Sequence, residues 1–448
     1  MLDRADLRAN LRWLRKLRTT LASRAEEIAG ELACFRRCPL AEALASEVLP
    51  LLESVRFLER NLLADLRPRR LPRAGRPWWL GGVVALEGWR PRGRVLIVAP
   101  GNYPLFLAGS QALQALAAGN TVVWKPAPGA EAPARHFAQA LGAAGGPVER
   151  FSIAQSTVEA VYREIETGLD LAVFTGSSTH GRKLLAALAE RLVPAVVELS
   201  GCDSVWLRPD ADLRLAARSV AYGLLLNRGR TCIAPRRLLV PEALLADFRE
   251  ELRQALDVQL AASSPDGSLH SWPDQTLAAV ESALAAGARE SVPHKGSFDR
   301  EAPPPVMILE GVTPTMPVWT QDLFAPVACL VTYPDEATAL TWEQACPYRL
   351  GATVFGRDHG AARKLACALP APTVSINELI VATADPRLTF EGCGESGYGA
   401  TRGHGGLRAM AQRQTILTQT WPFHPHLDPK RASDASLLLK LIRWLHRR

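Results

Sequence analysis

Residues 95–126, VLIVAPGNYPLFLAGSQALQALAAGNTVVWKP, decide the fold. They predict an apolar strand over 95–99, a turn through Gly-Asn-Tyr-Pro, an apolar helix over about 105–118 and a second strand that ends at Lys125. Two strands joined by a helix are the unit from which parallel sheets are built. The stretch therefore predicts a parallel sheet covered by helices.

The same alternation continues towards residue 201. A helix over about 131–143, the strand LAVFTGS, the helix THGRKLLAALAERL and the strand AVVELSG follow in that order. Such alternation is typical of a doubly wound, largely parallel α/β sheet. Residues 1–66 show the leucine and alanine spacing of helices, and a second α/β unit begins near residue 202.

Length and composition limit the classes of function. The 448 residues are enough for more than one domain, and the net charge of +7 is spread along the chain without the aromatic and basic interleaving of nucleic-acid-binding proteins. The eight cysteines are scattered without metal-ligand spacing, which predicts no metal site and a reducing, cytoplasmic location. No signal-peptide pattern is present, and no apolar run reaches the roughly 20 residues that span a bilayer.

One cysteine has unusual neighbours. In residues 223–237, GLLLNRGRTCIAPRR, Cys232 follows a polar, glycine-bearing turn between two apolar runs, whereas a structural cysteine needs apolar company. Arg228 and Arg230 lie close to it in sequence, and nearby positive charge lowers the pKa of a thiol. We interpret Cys232 as a candidate thiolate nucleophile.

Three predicted strands each end in one polar side chain of a different type: Asn102, Lys125 and Glu198. A thiolate that attacks a carbonyl needs hydrogen-bond donors for the oxyanion and later a base that activates water. An amide and a carboxylate at strand ends can supply both, because ligands bind at the carboxyl ends of parallel strands. Burial behind AVV would raise the pKa of Glu198 towards neutrality.

One glycine-rich turn joins a predicted strand to a helix. It reads FTGSSTHG and contains Gly176, Ser177 and Gly181. Backbone amides at such a helix start can face a pyrophosphate, although a tight turn between a strand and a helix needs glycine anyway. The phosphate-loop pattern GxxxxGK[ST] does not occur.

Together these segments resemble the aldehyde dehydrogenase superfamily, nearest its shorter class 3 or fatty-aldehyde members. The likeness covers residues from about 90 to 410. It is carried, in chain order, by APGNYP, AAGNTVVWKPAP, FTGSSTHG, VVELSG, NRGRTCIAPRR, QDLFAPV and INE…FEGCGESGYG.

The resemblance implies NAD(P)-dependent oxidation of an aldehyde to a carboxylic acid. Cys232 would attack the aldehyde, Asn102 and the Cys232 N–H would hold the oxyanion, and Glu198 would activate water to hydrolyse the thioester. The cofactor-binding residues would be Lys125, Gly176, Ser177, Gly181, Asp322 and Phe324. The cofactor stays open between NAD and NADP, because Pro128 stands where NAD-preferring members often place a glutamate.

The resemblance also implies a domain plan. A Rossmann-like cofactor domain would span 1–201, the catalytic domain 202–385, and residues 386–432 would return to the cofactor domain. A hairpin over 77–95 and the late strand RQTILTQTW would form a small β element that bridges a homodimer. Residues 433–448 read as an amphipathic helix, either in contact with a membrane surface or, the interpretation we favour, packed on its own protein or across the dimer.

Several positions depart from the family pattern. Gly101 replaces an aromatic residue and predicts a wider aldehyde pocket, Ser200 replaces a glycine, and Asp322 replaces a longer glutamate. Arg230 replaces a glutamine and either stabilises the thiolate or faces solvent, and Glu391 replaces a glycine. Two alternatives stay open, a CoA-acylating relative and a weakly active or non-redox relative. Glu198 argues against the first, because CoA-acylating members generally lack that base.

Overall fold

In a computed structural model, the structure describes residues 1–262, 271–292, 298–422, 424–427 and 429–446. The strands, in chain order, are β1 Arg69–Arg70, β2 Val83–Pro91, β3 Arg94–Val98, β4 Thr121–Lys125, β5 Phe151–Ile153, β6 Leu171–Gly176, β7 Ala195–Leu199, β8 Asp203–Leu207, β9 Pro235–Pro241, β10 Arg289–Val292, β11 Met307–Glu310, β12 Val327–Tyr333, β13 Tyr348–Arg349, β14 Gly351–Phe355, β15 Thr373–Ile376, β16 Cys393–Gly394, β17 Gly397–Tyr398 and β18 Ala411–Gln419.

The helices are α1 Arg4–Ser23, α2 Ala25–Arg36, α3 Leu40–Ala43, α4 Leu49–Leu66, α5 Phe106–Ala117, α6 Glu131–Ala143, α7 Val158–Thr167, α8 Ser178–Ala189, α9 Leu213–Leu225, α10 Leu245–Ala262, α11 Asp274–Ala285, α12 Pro317–Thr320, α13 Glu336–Ala345, α14 His359–Ala368, α15 Gly403–Ala409 and α16 Ala432–Leu445.

The first sheet has six strands in the order β17-β7-β6-β3-β4-β5, all parallel except β17. Alternate residues of β3 enter opposite cores, which is why the strand is apolar throughout. Val95 and Ile97 pack with α1, α4, α5 and α6, whereas Leu96 and Val98 pack with α7 and α8. The stretch 95–126 thus forms the strand-helix-strand unit that it predicted.

The second sheet has seven strands in the order β10-β11-β12-β9-β8-β14-β15. Only its edge strand β10 runs antiparallel. Apolar side chains of its two faces enter separate cores, one packed with α9 and α10 and the other with α11 and α12. The doubly wound α/β fold class is confirmed, and the domain limits stay a prediction.

A third, antiparallel sheet contains β1, β2 and β18. The predicted hairpin over 77–95 is wrong: Trp78–Leu80 form a single 3₁₀ turn, and β2 pairs with β18 from Val83↔Gln419 to Pro91↔Ala411 instead of folding back on itself. After this turn, Gly81 and Gly82 lie against the Trp421 ring, where a Cβ would come within 2.3 Å and 2.6 Å of ring atoms. Most of the late segment RQTILTQTW lies in β18 and is therefore the partner of β2, and its part in bridging a dimer stays a prediction.

The tail forms a helix whose large apolar side chains are not buried against the described residues. α16 starts with the Arg431 N–H donating to Asp434 at 2.8 Å, which stabilises its first turn. Its large apolar side chains Leu437, Leu438, Leu439, Ile442 and Trp444 are more than half exposed. Packing within the chain, one of the predicted arrangements, is thus not what the structure shows. None of the described helices is long and apolar enough to cross a bilayer, and residues 447–448 lie outside the described residues.

Candidate active site

The first sheet brings the predicted strand-end residues to one edge. Lys125 ends β4, where it pairs with Val98 at the end of β3, and Asn102 follows four residues after Val98. Glu198 lies in β7 opposite Thr175, which precedes Gly176 in the segment FTGSSTHG. Because β3, β4, β6 and β7 are parallel, their carboxyl ends form one edge of the sheet, where ligands bind in this type of fold.

A short left-handed segment delivers Cys232 to that edge. Asn227, Arg228 and Gly229 have φ angles of 50°, 56° and 69°, a conformation that asparagine and glycine tolerate better than other residues. Gly229 is also required by space, since a Cβ there would lie 2.4 Å from the Ala325 carbonyl carbon. The Asn-Arg-Gly sequence is thus the local signal for the change of chain direction that brings the Cys232 thiol to this edge of the sheet.

Cys232 and Glu198 lie together. The Cys232 Sγ is 4.0 Å from Oε1 of Glu198. Glu198 is only 2% exposed. Burial raises the pKa of Glu198, as predicted. A raised pKa makes the Glu198 carboxylate a stronger base, on the side of the pocket that holds the thiol.

The predicted lowering of the Cys232 pKa is wrong. Burial raises the pKa of the Cys232 thiol, and the neighbouring Glu198 carboxylate raises it further. The two arginines that precede it point to other partners: Arg228 donates to the Arg37 carbonyl at 3.2 Å and Arg230 to the Ser271 carbonyl at 3.3 Å. Closeness in sequence did not place their charges at the sulfur.

The side-chain amide of Asn102 lies beside the cysteine loop. Its Nδ2 donates to the carbonyl of Arg230, two residues before Cys232, at 2.9 Å. The side chain of Asn227 contacts Asn102 in turn: its Nδ2 donates to the Asn102 carbonyl, also at 2.9 Å. A primary amide carries two N–H groups, so Asn102 keeps a second donor while the first fixes its orientation.

Two residues that the sequence analysis did not single out, Arg36 and Tyr103, contact the cysteine loop and support it. Arg36, at the end of α2, stacks on the Tyr103 ring at 4.8 Å and donates to the Asn227 side chain at 3.2 Å. The Tyr103 hydroxyl lies 2.7 Å from the hydroxyl of Thr231, the residue before Cys232. Only the Asn-Arg-Gly turn gave a local signal; Arg36 lies almost 200 residues away and gave none.

Cys232 and Glu198 open into a pocket of about 1430 Å³. Its walls are mostly apolar, and the large side chains among them are Leu49, Tyr103, Phe106, Leu107, Tyr222, Leu225, Leu226, Ile233, Leu260, Ile380, Val381 and Phe390. Gly101 is not part of the wall; it is exposed, and a side chain there would face Ala127 at 3.6 Å. The predicted widening of the pocket at Gly101 is therefore wrong.

Four of the predicted cofactor residues lie at or just after the carboxyl ends of strands in the first sheet: Lys125 ends β4, Gly176 ends β6, and Ser177 and Gly181 follow β6. Lys125 is buried, which lowers the pKa of its amine, and the Glu131 carboxylate opposes this shift. Ser177 is the N-cap of α8 and accepts the His180 N–H at 3.4 Å. Gly181 packs so closely on Leu199 that a Cβ would lie 2.6 Å from it. A lysine and a strand-to-helix turn at the carboxyl ends of parallel strands suit a polyanionic dinucleotide, so these residues fit NAD(P).

The sequence profile described as "Aldehyde dehydrogenase family" matches residues 3–416. The chain belongs to the aldehyde dehydrogenase family. The match confirms the family and the enzyme class, NAD(P)-dependent aldehyde dehydrogenase, that the motifs indicated.

Similar proteins agree. 4,4'-Diapolycopene-4,4'-dial dehydrogenase of Cytobacillus firmus is 28% identical over 91% of this chain and 89% of its own. Succinate semialdehyde dehydrogenase [NAD(P)+] Sad of Escherichia coli K12 is 30% identical over 74% of this chain and 73% of its own. The structure of Streptococcus pyogenes succinic semialdehyde dehydrogenase with NADP+ superposes with a TM-score of 0.81 at 20% identity, covering 92% of this chain and 90% of that one.

Two departures from the aldehyde dehydrogenase pattern contact each other. The Asp322 carboxyl accepts a hydrogen bond from the Ser200 side chain, and its Oδ1 accepts the Phe324 N–H at 3.2 Å. Burial raises the pKa of Asp322, and the Arg236 cation opposes this. Asp322 thus holds the loop on which Phe324 adopts a φ of 41°.

Proposed function

We propose that this dehydrogenase oxidises an aldehyde to a carboxylic acid through a covalent intermediate on Cys232. The observation that supports it best is the 4.0 Å separation of the Cys232 Sγ and the Glu198 carboxylate in one apolar pocket. A nucleophile with an adjacent base and a nearby amide donor is the arrangement that acyl transfer needs.

The steps follow from the residues. The Cys232 sulfur attacks the aldehyde carbon to give a thiohemiacetal, whose oxyanion accepts hydrogen bonds from the Asn102 amide and the Cys232 N–H. When bound, NAD(P)+ supplies the hydride acceptor that turns this adduct into a thioester. Glu198 then takes a proton from a water molecule, which attacks the thioester carbonyl; the acid leaves and the Cys232 thiolate is restored.

The pocket favours an aldehyde with a long apolar body. Its volume of about 1430 Å³ exceeds that of most small-molecule sites, which hold roughly 300–1000 Å³. A screen of NAD(P)H formation over short, long-chain and aromatic aldehydes tests the proposal, and the long-chain members should have the highest kcat/KM. Assays with and without CoA separate hydrolysis of the thioester from acyl transfer to CoA.

Replacing Asn102 with alanine should lower kcat/KM about a hundred- to a thousandfold, the usual effect of removing one oxyanion donor. The change removes the donor nearest the cysteine loop, where its amide bonds the Arg230 carbonyl at 2.9 Å. Steady-state rates at saturating cofactor measure it. Asn61→Ala, on α4, removes an amide that bonds only the Phe57 carbonyl and should leave the rate unchanged. A wild-type rate for Asn102→Ala would exclude the oxyanion role.

The choice between NAD and NADP is open to a direct test. Pro128 leaves no carboxylate at the expected position, but Glu131, in the first turn of α6, lies close enough to Lys125 to raise the pKa of its amine. A 2′-phosphate beside Lys125 would therefore meet a negative charge, which predicts a preference for NAD.

Glu131→Gln should raise the ratio of kcat/KM for NADP to that for NAD about tenfold, because it removes that repulsion. Rates with both cofactors on one aldehyde measure the ratio. Glu159→Gln, an acidic residue in the first turn of the neighbouring helix α7, is the matched control and should leave the ratio unchanged. An unaltered ratio for Glu131→Gln would remove Glu131 from cofactor selection.

We further propose a cytoplasmic homodimer formed through the sheet of β1, β2 and β18. The support is its location outside the two main sheets and the exposure of Trp78, Trp79 and Leu417 along it. Sedimentation of the 48.6 kDa chain tests the oligomeric state. Packing of α16 across the dimer is favoured over membrane contact, and liposome flotation of the full chain beside a chain ending at residue 432 separates the two.

A further inference from the structure

A buried arginine lies beside the nucleophile and the base. The strand β17 pairs with β7 so that Gly397 lies opposite Glu198, and the chain then turns back into the pocket wall at Arg402. Arg402 is 8% exposed, and the residue before it, Thr401, donates its hydroxyl to the Phe390 carbonyl at 3.2 Å. Buried arginines are uncommon unless they are paired, so this one needs an explanation.

Three contacts fix the guanidinium in the wall. Its Nη1 donates to the Thr383 carbonyl at 2.8 Å, and its carbon lies 4.3 Å from the centre of the Phe390 ring and 5.5 Å from that of Phe106. The two rings and the carbonyl hold the cation without neutralising it. The charge is therefore available to groups in the pocket.

The surroundings of Cys232 are otherwise acidic. Besides burial, the carboxylates of Glu198, Asp203 and Asp322 raise the pKa of its thiol, and the cation that lowers this pKa is Arg402. Arg402 also lowers the pKa of Glu198. In a buried site a unit charge acts more strongly than at the surface, because solvent screens it less.

Arg402 makes no direct ion pair with Glu198 among the described residues. Nε of Arg402 and Oε2 of Glu198 are both buried without a hydrogen-bond partner in the part of the chain that the structure describes. A direct pair would commit the cation to the base alone. In the observed arrangement its field reaches both groups.

We propose that Arg402 is a positioning residue for the reaction: its guanidinium, held in the pocket wall, stabilises the Cys232 thiolate and the Glu198 carboxylate. The inference rests on the proposed function in taking Cys232 as the nucleophile. It gives a role to a residue that none of the family motifs assigned, and it names the cation that opposes three carboxylates at the Cys232 thiol.

Alkylation tests it without turnover. The rate at which iodoacetamide modifies Cys232 is measured against pH by mass spectrometry of the Cys232 peptide, in the wild type, Arg402→Met and Arg402→Lys. Arg402→Met should move the midpoint at least about one pH unit higher, which slows alkylation about tenfold below the midpoint. Arg402→Lys, which keeps the charge, should stay within about threefold of the wild type. Arg413→Met removes an arginine stacked on Trp89 at 5.3 Å, outside the pocket, and should change nothing.

Two results would overturn the role of Arg402. One is a folded Arg402→Met with the wild-type profile; the other is Arg402→Lys shifted as far as Arg402→Met, which would make the effect steric. Should circular dichroism show Arg402→Met unfolded, Arg402→Gln takes its place against Arg402→Lys, with the same two criteria. A wild type that forms no NAD(P)H with any aldehyde would reject the proposed function instead, and the alkylation profile would still report on Arg402.

Discussion

Replacing Cys232 with alanine should reduce NAD(P)H formation to the background rate with every aldehyde. Among the described thiols, Cys34 and Cys38 also line the pocket, but it is the Cys232 sulfur that contacts the Glu198 carboxylate, at 4.0 Å. Cys329 and Cys346 are buried outside the pocket lining, and Cys367 is exposed on α14. Without the sulfur no thiohemiacetal forms, so both the oxidation and the later hydrolysis lose their substrate. Single-turnover and steady-state absorbance measurements check the result.

The control for this change is Cys367→Ala. It removes an exposed thiol far from the pocket and should keep the wild-type rate, which shows that loss of a cysteine as such is harmless. Thermal unfolding of both variants excludes a folding defect. A dehydrogenase rate near the wild type in Cys232→Ala would end the assignment of the nucleophile.

Replacing Glu198 with glutamine should separate the two halves of the reaction. Acylation proceeds and gives about one equivalent of NAD(P)H per active site, and hydrolysis then slows about a hundred- to ten-thousandfold, the usual weight of general-base help. The reason is that an amide at this site, 4.0 Å from the Cys232 sulfur, cannot take the proton from water. Stopped-flow absorbance resolves the burst, and mass spectrometry detects the acyl group on Cys232.

Glu310→Gln is the matched control for Glu198→Gln. Glu310 is 7% exposed and pairs with Arg249 at 2.8 Å in β11, and it does not line the pocket. This variant should show the wild-type steady-state rate with no accumulated acyl group. If hydrolysis were equally fast in Glu198→Gln, another group would have to be the base.

The sequence could predict those parts of the site that local patterns encode. Strand and helix periodicity over 95–201 predicts the parallel sheet, and a parallel sheet places residues at the ends of its strands along one edge. That is why Asn102, Lys125 and Glu198 were recognisable before any coordinates. Burial of Glu198, and with it the direction of its pKa change, followed from the apolar strand around it.

The other parts depend on tertiary contacts that leave no local signal. Arg402 lies 170 residues beyond Cys232, in a glycine-rich stretch that reads as a chain reversal, and only the pairing of β17 with β7 brings it to the pocket. The pKa of Cys232 depends on burial and on three carboxylates from separate elements, which outweigh the arginines next to it in sequence. Likewise β2 finds its partner more than 300 residues away, so the predicted hairpin failed.

Gly201 lies where the chain leaves the first sheet at β7 and enters the second at β8. A Cβ on it would lie 2.4 Å from the carbonyl oxygen of Cys232, so only glycine lets the connection rest against that backbone. Glu198 belongs to the first sheet, whereas Cys232 lies between β8 and β9 of the second. The two side chains therefore share one pocket only when both sheets are formed and in contact at this crossing point, which makes the pocket a property of the two sheets together.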